Sequence, residues 1–331
     1  MKKAVLIVNV GTPDKPRKRD VRRYLREFLN DPFVIDMSAL GRLLLVNLII
    51  IPFRVNKSTA LYRRLWTPEG SPLLIYLKQL QLKLQILLKD EVTVYSAMRY
   101  GNPSLKKVLS EINREGYDEL VVLPLFPQYA SSTTGSIVHA IEKQVSRLPG
   151  IKVTRFIQQF YDYPAFLDSF AARVNAYDPS QFDHVLFSFH SLPISQVEQQ
   201  HPGRTCDGCS CEHSLPYAGI SCYKAACYET ARQIAHRCGV NTYSVAFQSR
   251  FAKKWVAPFS DHVISDLAQQ GKKKLLVVAP SFVADCLETV VEIGLDYNEL
   301  FLKGGGERLV LVESLNATDQ WVETVRQIIR E

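Results

Sequence analysis

Five thiols crowd one short stretch of the chain. Cys206-Asp207-Gly208-Cys209-Ser210-Cys211 is followed by Cys222 and Cys227, and the stretch is led by a C-x-x-C and lined with Gly, Ser and Pro. Packing does not account for such a density, and disulfides do not suit a chain with no secretory signal. The spacing therefore predicts metal ligation. Zinc and an iron–sulfur cluster both accept four thiolates, so spacing alone leaves the two open. Cys206, Cys209 and Cys211 share one turn-forming segment in which Gly208 gives the backbone room. Cys222 would close the site from the far side of a loop containing Pro216 and Gly219. The isolated Cys238 and Cys286 read as small buried hydrophobes.

A second set of candidates lies at the ends of apolar runs. His190 ends Phe187-Ser188-Phe189-His190-Ser191-Leu192-Pro193. A neutral imidazole there could bind a metal or accept a proton near neutral pH, although position alone is equally met by a hydrogen-bonded strand terminus. Asp285, Glu288 and Glu292 follow a strand-like run at spacing i, i+3, i+7, which on an α-helix puts three carboxylates on one face. An acidic first turn facing the helix dipole accounts for them as well. The hydroxyl-rich stretch Gln128–Gly135 can cap a helix and offer N–H groups to an anion. No Gly-x-Gly-x-x-Gly or P-loop pattern occurs, which argues against nucleotides.

These residues need elements to position them. Short β-branched runs alternate with helical stretches, the pattern of parallel α/β sheets. The first half offers Ala4–Val10, Val92–Ala97, Leu120–Leu125 and Lys152–Ile157. The second offers His184–Phe189, Thr242–Phe247, Leu275–Ala279 and Leu309–Val312. The two series echo each other in order and in how each strand ends: Val10-Gly11-Thr12-Pro13 against His190-Ser191-Leu192-Pro193, Met98-Arg99-Tyr100 against Gln248-Ser249-Arg250, Leu123-Pro124 against Ala279-Pro280. The expectation is two similar Rossmann-like domains, doubly wound parallel sheets over residues 1–160 and 161–331, facing one cleft. The Cys-rich insertion spans about 201–222, and a C-terminal helix around Asp319–Ile329 packs back on the body. Ligands bind beyond the carboxyl ends of such strands.

Composition narrows the partners. Hydrophobic residues make up 47% and charged residues 22% of the 331, an ordinary globular balance. The net charge of +7 suits an acidic small molecule or an anionic membrane surface. No Lys/Arg stripe with interleaved aromatics speaks for nucleic acid. Residues 40–66 are apolar, aromatic and basic together and have no counterpart in the second half, so they read as an exposed lip beside the cleft. The most apolar part, Leu43–Phe53, is about half the length that spans a bilayer. The expected location is cytoplasmic, with peripheral contact at the inner membrane face.

Together these segments resemble the ferrochelatase family in its proteobacterial form. The resemblance is carried by Val8–Pro13, Gly70-Ser71-Pro72-Leu73, Pro124–Gly135, Phe189–Pro193, Phe247–Arg250, Ala284–Thr289 and Glu313-Ser314-Leu315-Asn316. It implies the two-domain chelatase fold and a lyase that inserts ferrous iron into protoporphyrin IX, the last step of haem biosynthesis. It also implies roles: His190 for metal contact and proton acceptance, Glu288 facing it across the porphyrin, and Asp285 and Glu292 as a supporting acidic path. Arg54, Tyr62 and Ser71 match residues that hold the propionates, and Arg99, Phe126 and Ser249 fall near the pocket. Cys286 stands where many relatives have a second histidine, and Val10 where some have tyrosine or methionine. Ser131 replaces the mid-chain cysteine of animal members. The Cys-rich insertion instead resembles the internal-cluster variety of some bacteria, which favours [2Fe-2S] over zinc. A cysteine near Cys227 also occurs in relatives without the insertion, so Cys206, Cys209, Cys211 and Cys222 are the expected ligands and Cys227 the reserve. The rival readings are a chelatase for another metal or tetrapyrrole and a non-catalytic tetrapyrrole- or metal-binding protein with a redox-sensing cluster.

Overall fold

The computed structural model describes every residue except 1, 90, 149, 202–204, 207–208, 216–220 and 331. Gly208, Pro216 and Gly219 thus lie outside the described residues. The chain divides into two units, one of residues 1–126, 131–159 and 317–331, the other of 127–130 and 160–316.

In the first unit, strands β1 (Lys3–Thr12), β2 (Thr93–Gly101), β3 (Tyr117–Pro124) and β4 (Ile151–Phe156) form a parallel sheet in the order β2-β1-β3-β4. β1 is buried along nearly its whole length, as a central strand covered on both faces must be, and its Val/Leu/Ile run supplies that. Helix α1 (Lys18–Leu29) buries Val21, Tyr24, Leu25 and Leu29, a helical spacing that presents one apolar stripe. α2 (Ala39–Leu44), a π-helical stretch at Leu45–Ile50 and α3 (Ile51–Leu65) run on as one helical segment. α4 (Pro72–Leu88) opens with proline in its first turn, where the missing N–H costs nothing. α5 (Leu105–Glu115) and α6 (Ser136–Val145) cover the sheet with Val108, Leu109, Ile112, Ile137 and Ile141. Gly11 has φ +126°, and a Cβ there would stand 1.9 Å from the Tyr100 carbonyl oxygen, so only glycine lets β1 end this close to β2.

The second unit repeats the plan. α7 (Pro164–Asn175) leads to β5 (His184–His190), α8 (Ile194–Gln199), α9 (Tyr223–Arg237), β6 (Tyr243–Gln248), α10 (Ser260–Gln269) and β7 (Lys274–Val278). A π-helix (Leu287–Tyr297), α11 (Asn298–Lys303) and β8 (Arg308–Leu311) complete it. The order β6-β5-β7-β8 is that of the first sheet with each strand replaced by its repeat. Even the return loops agree: Met98 N–H donates to Pro103 O at 2.7 Å, and Phe247 N–H to Pro258 O at 2.8 Å. All eight strands fall on the β-branched runs of the sequence.

Two expectations change. The C-terminal helix α12 (Asp319–Arg330) counts with the first unit, not the second. Lys83 Nζ reaches Ala317 O (2.8 Å) and Asp319 (2.7 Å), and Arg155 bonds the carbonyls of Ile328 and Ile329. The apolar part of the lip expected over 40–66 also reaches beyond Leu43–Phe53. Helix runs unbroken over Ala39–Leu65, 27 residues whose most apolar stretch has mean hydropathy 1.5 and is 22% buried, long and apolar enough to cross a membrane by length and composition. Pro52 does not break it, because it falls in the first turn of α3 directly after the π-helical stretch.

Candidate active site and metal centre

His190 is the last residue of β5, held there by an apolar strand with Phe187 and Phe189 fully buried. Its Nδ1 lies 2.5 Å from the Ser191 carbonyl oxygen. A carbonyl only accepts, so Nδ1 is the donor, and in the neutral imidazole Nε2 is then the nitrogen whose lone pair can take a metal or a proton. Trp255 and Phe282 flank the ring, with centroids 6.4 and 6.3 Å away. The His190 carbonyl accepts the Tyr223 hydroxyl at 2.7 Å.

The acidic residues do not share one helix face. The helix starts only at Leu287, is π-helical, and is preceded by Cys286 in extended conformation. Asp285 therefore lies outside it, and its buried carboxylate is taken up by Asn316 Nδ2 (2.7 Å), Ser314 N–H (3.2 Å) and Thr289 Oγ1 (3.4 Å). Glu288 and Glu292 remain on the π-helix. Glu292 accepts the Ser249 N–H (2.9 Å), the Ser249 hydroxyl and the Tyr297 hydroxyl (2.9 Å). Burial pushes its carboxyl above the usual range and the Glu288 charge adds to this, while the hydrogen bonds and His190 pull the other way. Ser249 sits at φ 62°, a strained backbone for a non-glycine residue, and so aims both its donors at Glu292. Burial and Glu288 also raise the Cys286 thiol, which caps the π-helix.

The remaining expected porphyrin contacts lie in the first unit. Arg54 is exposed on α3. Tyr62 is buried edge-on to Tyr24, and the Ser71 hydroxyl is spent on Thr12 at 2.9 Å. Phe126 packs against the sheet core. Arg99 is tied down: Nε donates to Ser136 Oγ (2.7 Å) and Nη2 pairs with Asp31. Asp31, its side chain 2% exposed, also accepts the Tyr100 (2.8 Å) and Ser136 (2.7 Å) hydroxyls.

The cysteine stretch forms a compact basin. Cys222 Sγ lies 3.6 Å from Cys211 Sγ, Cys211 bonds Cys209, and the Cys209 thiol donates to the Cys206 carbonyl at 3.3 Å. Two sulfurs on one tetrahedral metal at about 2.3 Å stand about 3.8 Å apart, so the Cys211–Cys222 spacing fits a shared thiolate-bound metal. Burial pushes the Cys206 thiol up to about 11, with Cys209 and Cys222 adding to it. Crowded thiols that resist losing protons individually are what a bound cation would reconcile. Cys227 stands apart: it is buried on α9 and hydrogen-bonded with Tyr223. His201 joins the basin, its donor atom within 4.8 Å of those of Cys211 and Cys222. Counting thiols alone missed it, although it stands only five residues before Cys206. Tyr223 and Asp31 gave no local signal at all.

The arrangement of two four-stranded parallel sheets is a chelatase-type α/β fold. It is shared with SirB from Bacillus subtilis with Fe3+ (TM-score 0.55, 12% identity, covering 99% of this chain and 96% of that one). It is shared too with CbiX, the terminal enzyme for biosynthesis of siroheme in denitrifying bacteria (TM-score 0.51, 14% identity, 99% and 98%). The family model described as Ferrochelatase matches residues 2–331. The chain is 40% identical over 339 residues to the ferrochelatase of Coxiella burnetii (strain CbuG_Q212), covering 99% of this chain and 93% of that protein. It is 40% identical over 342 residues to that of Legionella pneumophila (strain Lens), covering 100% and 99%. The chain belongs to the ferrochelatase family.

Proposed function

We propose that His190 takes the metal and the pyrrole protons in ferrochelatase catalysis on protoporphyrin, with Glu288 and Glu292 as the acidic path beside it. As a ferrochelatase the chain is a lyase of the terminal step of haem biosynthesis, and its substrates are a porphyrin and ferrous iron. Insertion requires the macrocycle to lose two protons while iron sheds water, so a proton acceptor must be poised at the ring. The observation that carries the reading is the Nδ1 bond to Ser191, which leaves Nε2 as that acceptor. Asp285 drops out of the path, since Asn316 and Ser314 occupy it. Arg54, Tyr62, Ser71, Arg99 and Phe126 in the first unit and Ser249 in the second are the residues proposed to contact the porphyrin. In a ferrous-iron insertion assay His190→Ala should lose turnover while still quenching porphyrin fluorescence on binding. A folded variant with near-normal turnover removes His190 from the mechanism. Preference for coproporphyrin would move the substrate assignment but not the chemistry.

The basin is read as the seat of a [2Fe-2S] cluster held by Cys206, Cys209, Cys211 and Cys222, with His201 beside Cys211. When bound, such a cluster supplies a crosslink and an electron-transfer centre. Colour, iron and sulfide in the isolated protein support it, and colourless protein with stoichiometric zinc overturns it. The helix over Ala39–Leu65 is read as a peripheral membrane contact on a cytoplasmic protein. Val46, Ile51, Val55 and Tyr62 bury one side, while Leu40, Leu44, Leu48, Ile49 and Phe53 are exposed on it. A helix so committed on one side lies on a bilayer more readily than it crosses one. Replacing Leu44 and Leu48 with Ser should weaken binding to anionic vesicles, and unchanged binding would discard the contact.

A further inference from the structure

Tyr223 stands at the junction of the two sites. It follows Cys222 directly and is the first residue of α9, so the residue that closes the thiol basin also fixes where the tyrosine starts. Its side chain is buried, and its hydroxyl donates to the His190 carbonyl at 2.7 Å, with Ser281 Oγ farther off at 3.4 Å and the Cys227 thiol of the same helix as a further partner. That carbonyl belongs to the peptide immediately before Ser191, whose own carbonyl holds the His190 ring through Nδ1. The Ser191 N–H donates to Gln248 O at 2.8 Å and its hydroxyl to Val256 O at 2.8 Å, so the sheet side of this turn is anchored independently. Tyr223 supplies the anchor from the basin side.

We propose that Tyr223 is a positioning residue that transmits occupancy of the cysteine basin to His190. The inference rests on the basin holding a metal group, whichever that group is. With the basin filled, Cys222 is fixed, α9 starts in register, and the phenol holds the His190 peptide so that the ring keeps its bond to Ser191. With it empty, Cys222 loses its tether and the phenol its fixed start, so the imidazole samples orientations in which Nε2 no longer points at the ring being metallated. The group in the basin thus acts on insertion without exchanging electrons with the substrate.

The test uses the metal-loaded protein. Tyr223→Phe keeps the bulk of the ring and should keep iron, sulfide and the visible spectrum. Losing one hydrogen bond should lower kcat by about two- to tenfold with the porphyrin KM unchanged. The ring ¹⁵N resonances of His190 should move in the same direction in Tyr223→Phe and in Cys222→Ser, and the double variant should be no worse than Cys222→Ser. Unaltered His190 resonances in Tyr223→Phe, or losses that multiply in the double variant, overturn the link. If Cys222→Ser is insoluble, protein stripped by chelation takes its place in the cycle. Zinc found in place of iron and sulfide would end the cluster reading and leave this comparison intact.

Discussion

The two halves share one sheet topology and treat a carboxylate beside the second strand in opposite ways. In the first half Asp31 meets the guanidinium of Arg99, together with the hydroxyls of Tyr100 and Ser136. In the second, Ser249 comes directly after β6, and Glu292 accepts the Ser249 N–H and the hydroxyls of Ser249 and Tyr297, with Glu288 near enough to raise it further. A carboxylate matched by an arginine is held in place by its charge partner and serves the fold. One matched by neutral donors and crowded by a second acid can gain or lose a proton at modest cost, which is what a proton path needs. The sheet order is common to both halves, and charge pairing distinguishes the locked carboxylate of the first from the one proposed for the proton path in the second.

The contrast can be broken most sharply at Glu288. Glu288→Gln keeps size and removes charge, and should lower kcat by about 10²- to 10⁴-fold with the unfolding midpoint unchanged. A loss of stability with retained turnover would make it a structural residue instead. Asp31→Ala should do the reverse in kind. It leaves the partly buried Arg99 without its charge partner, and denaturant unfolding should show a loss of about 3–5 kcal/mol. A stable but inactive Asp31→Ala would place the first-half carboxylate in the chemistry and erase the distinction.

Glu292→Gln sharpens the comparison through pH. A carboxyl raised above its ordinary 4.5 in the folded state binds its proton more tightly folded than unfolded. Its contribution is therefore favourable below 4.5 and is lost as pH climbs through the raised value. Glutamine has no such proton, so the variant should gain on the parent as pH rises through that window, read by unfolding at matched pH. A constant difference across the window refutes the raised carboxyl. The smallest effect belongs to Cys286→Ser, which keeps a capping atom at the π-helix start and should cost no more than about 1 kcal/mol. Damage equal to that of Glu288→Gln would promote Cys286 to the metal path.

The strands were legible because parallel strands covered on both faces must be β-branched runs, and the repeat was legible because each run ends in its own turn residues. Asp285 was misplaced for a physical reason. Spacing i, i+3, i+7 assumes an α-helix already under way, whereas Cys286 is extended and the turns after it are π. The apolar run Leu43–Phe53 reads as too short to span a bilayer because composition alone does not show that one helix carries on at both ends of it. The pairs Asp31–Arg99 and Tyr223–His190 join residues 68 and 33 positions apart, and no local pattern announces a bond made by folding. His201 was within reach, had nitrogen donors been weighed with the sulfurs.

The placement of α12 has a consequence for how the chain is made. Synthesis from the amino end delivers every residue of the second unit once Asn316 is joined, while the first unit, begun earlier, still lacks residues 317–331. Trp321, Val325 and Ile328 are buried in that helix, and Lys83 and Arg155 wait for the carbonyls of Ala317 and Ile329. The half that starts first is thus completed last, and in a released chain ending at Asn316 a protease should find the second unit closed and the first still open.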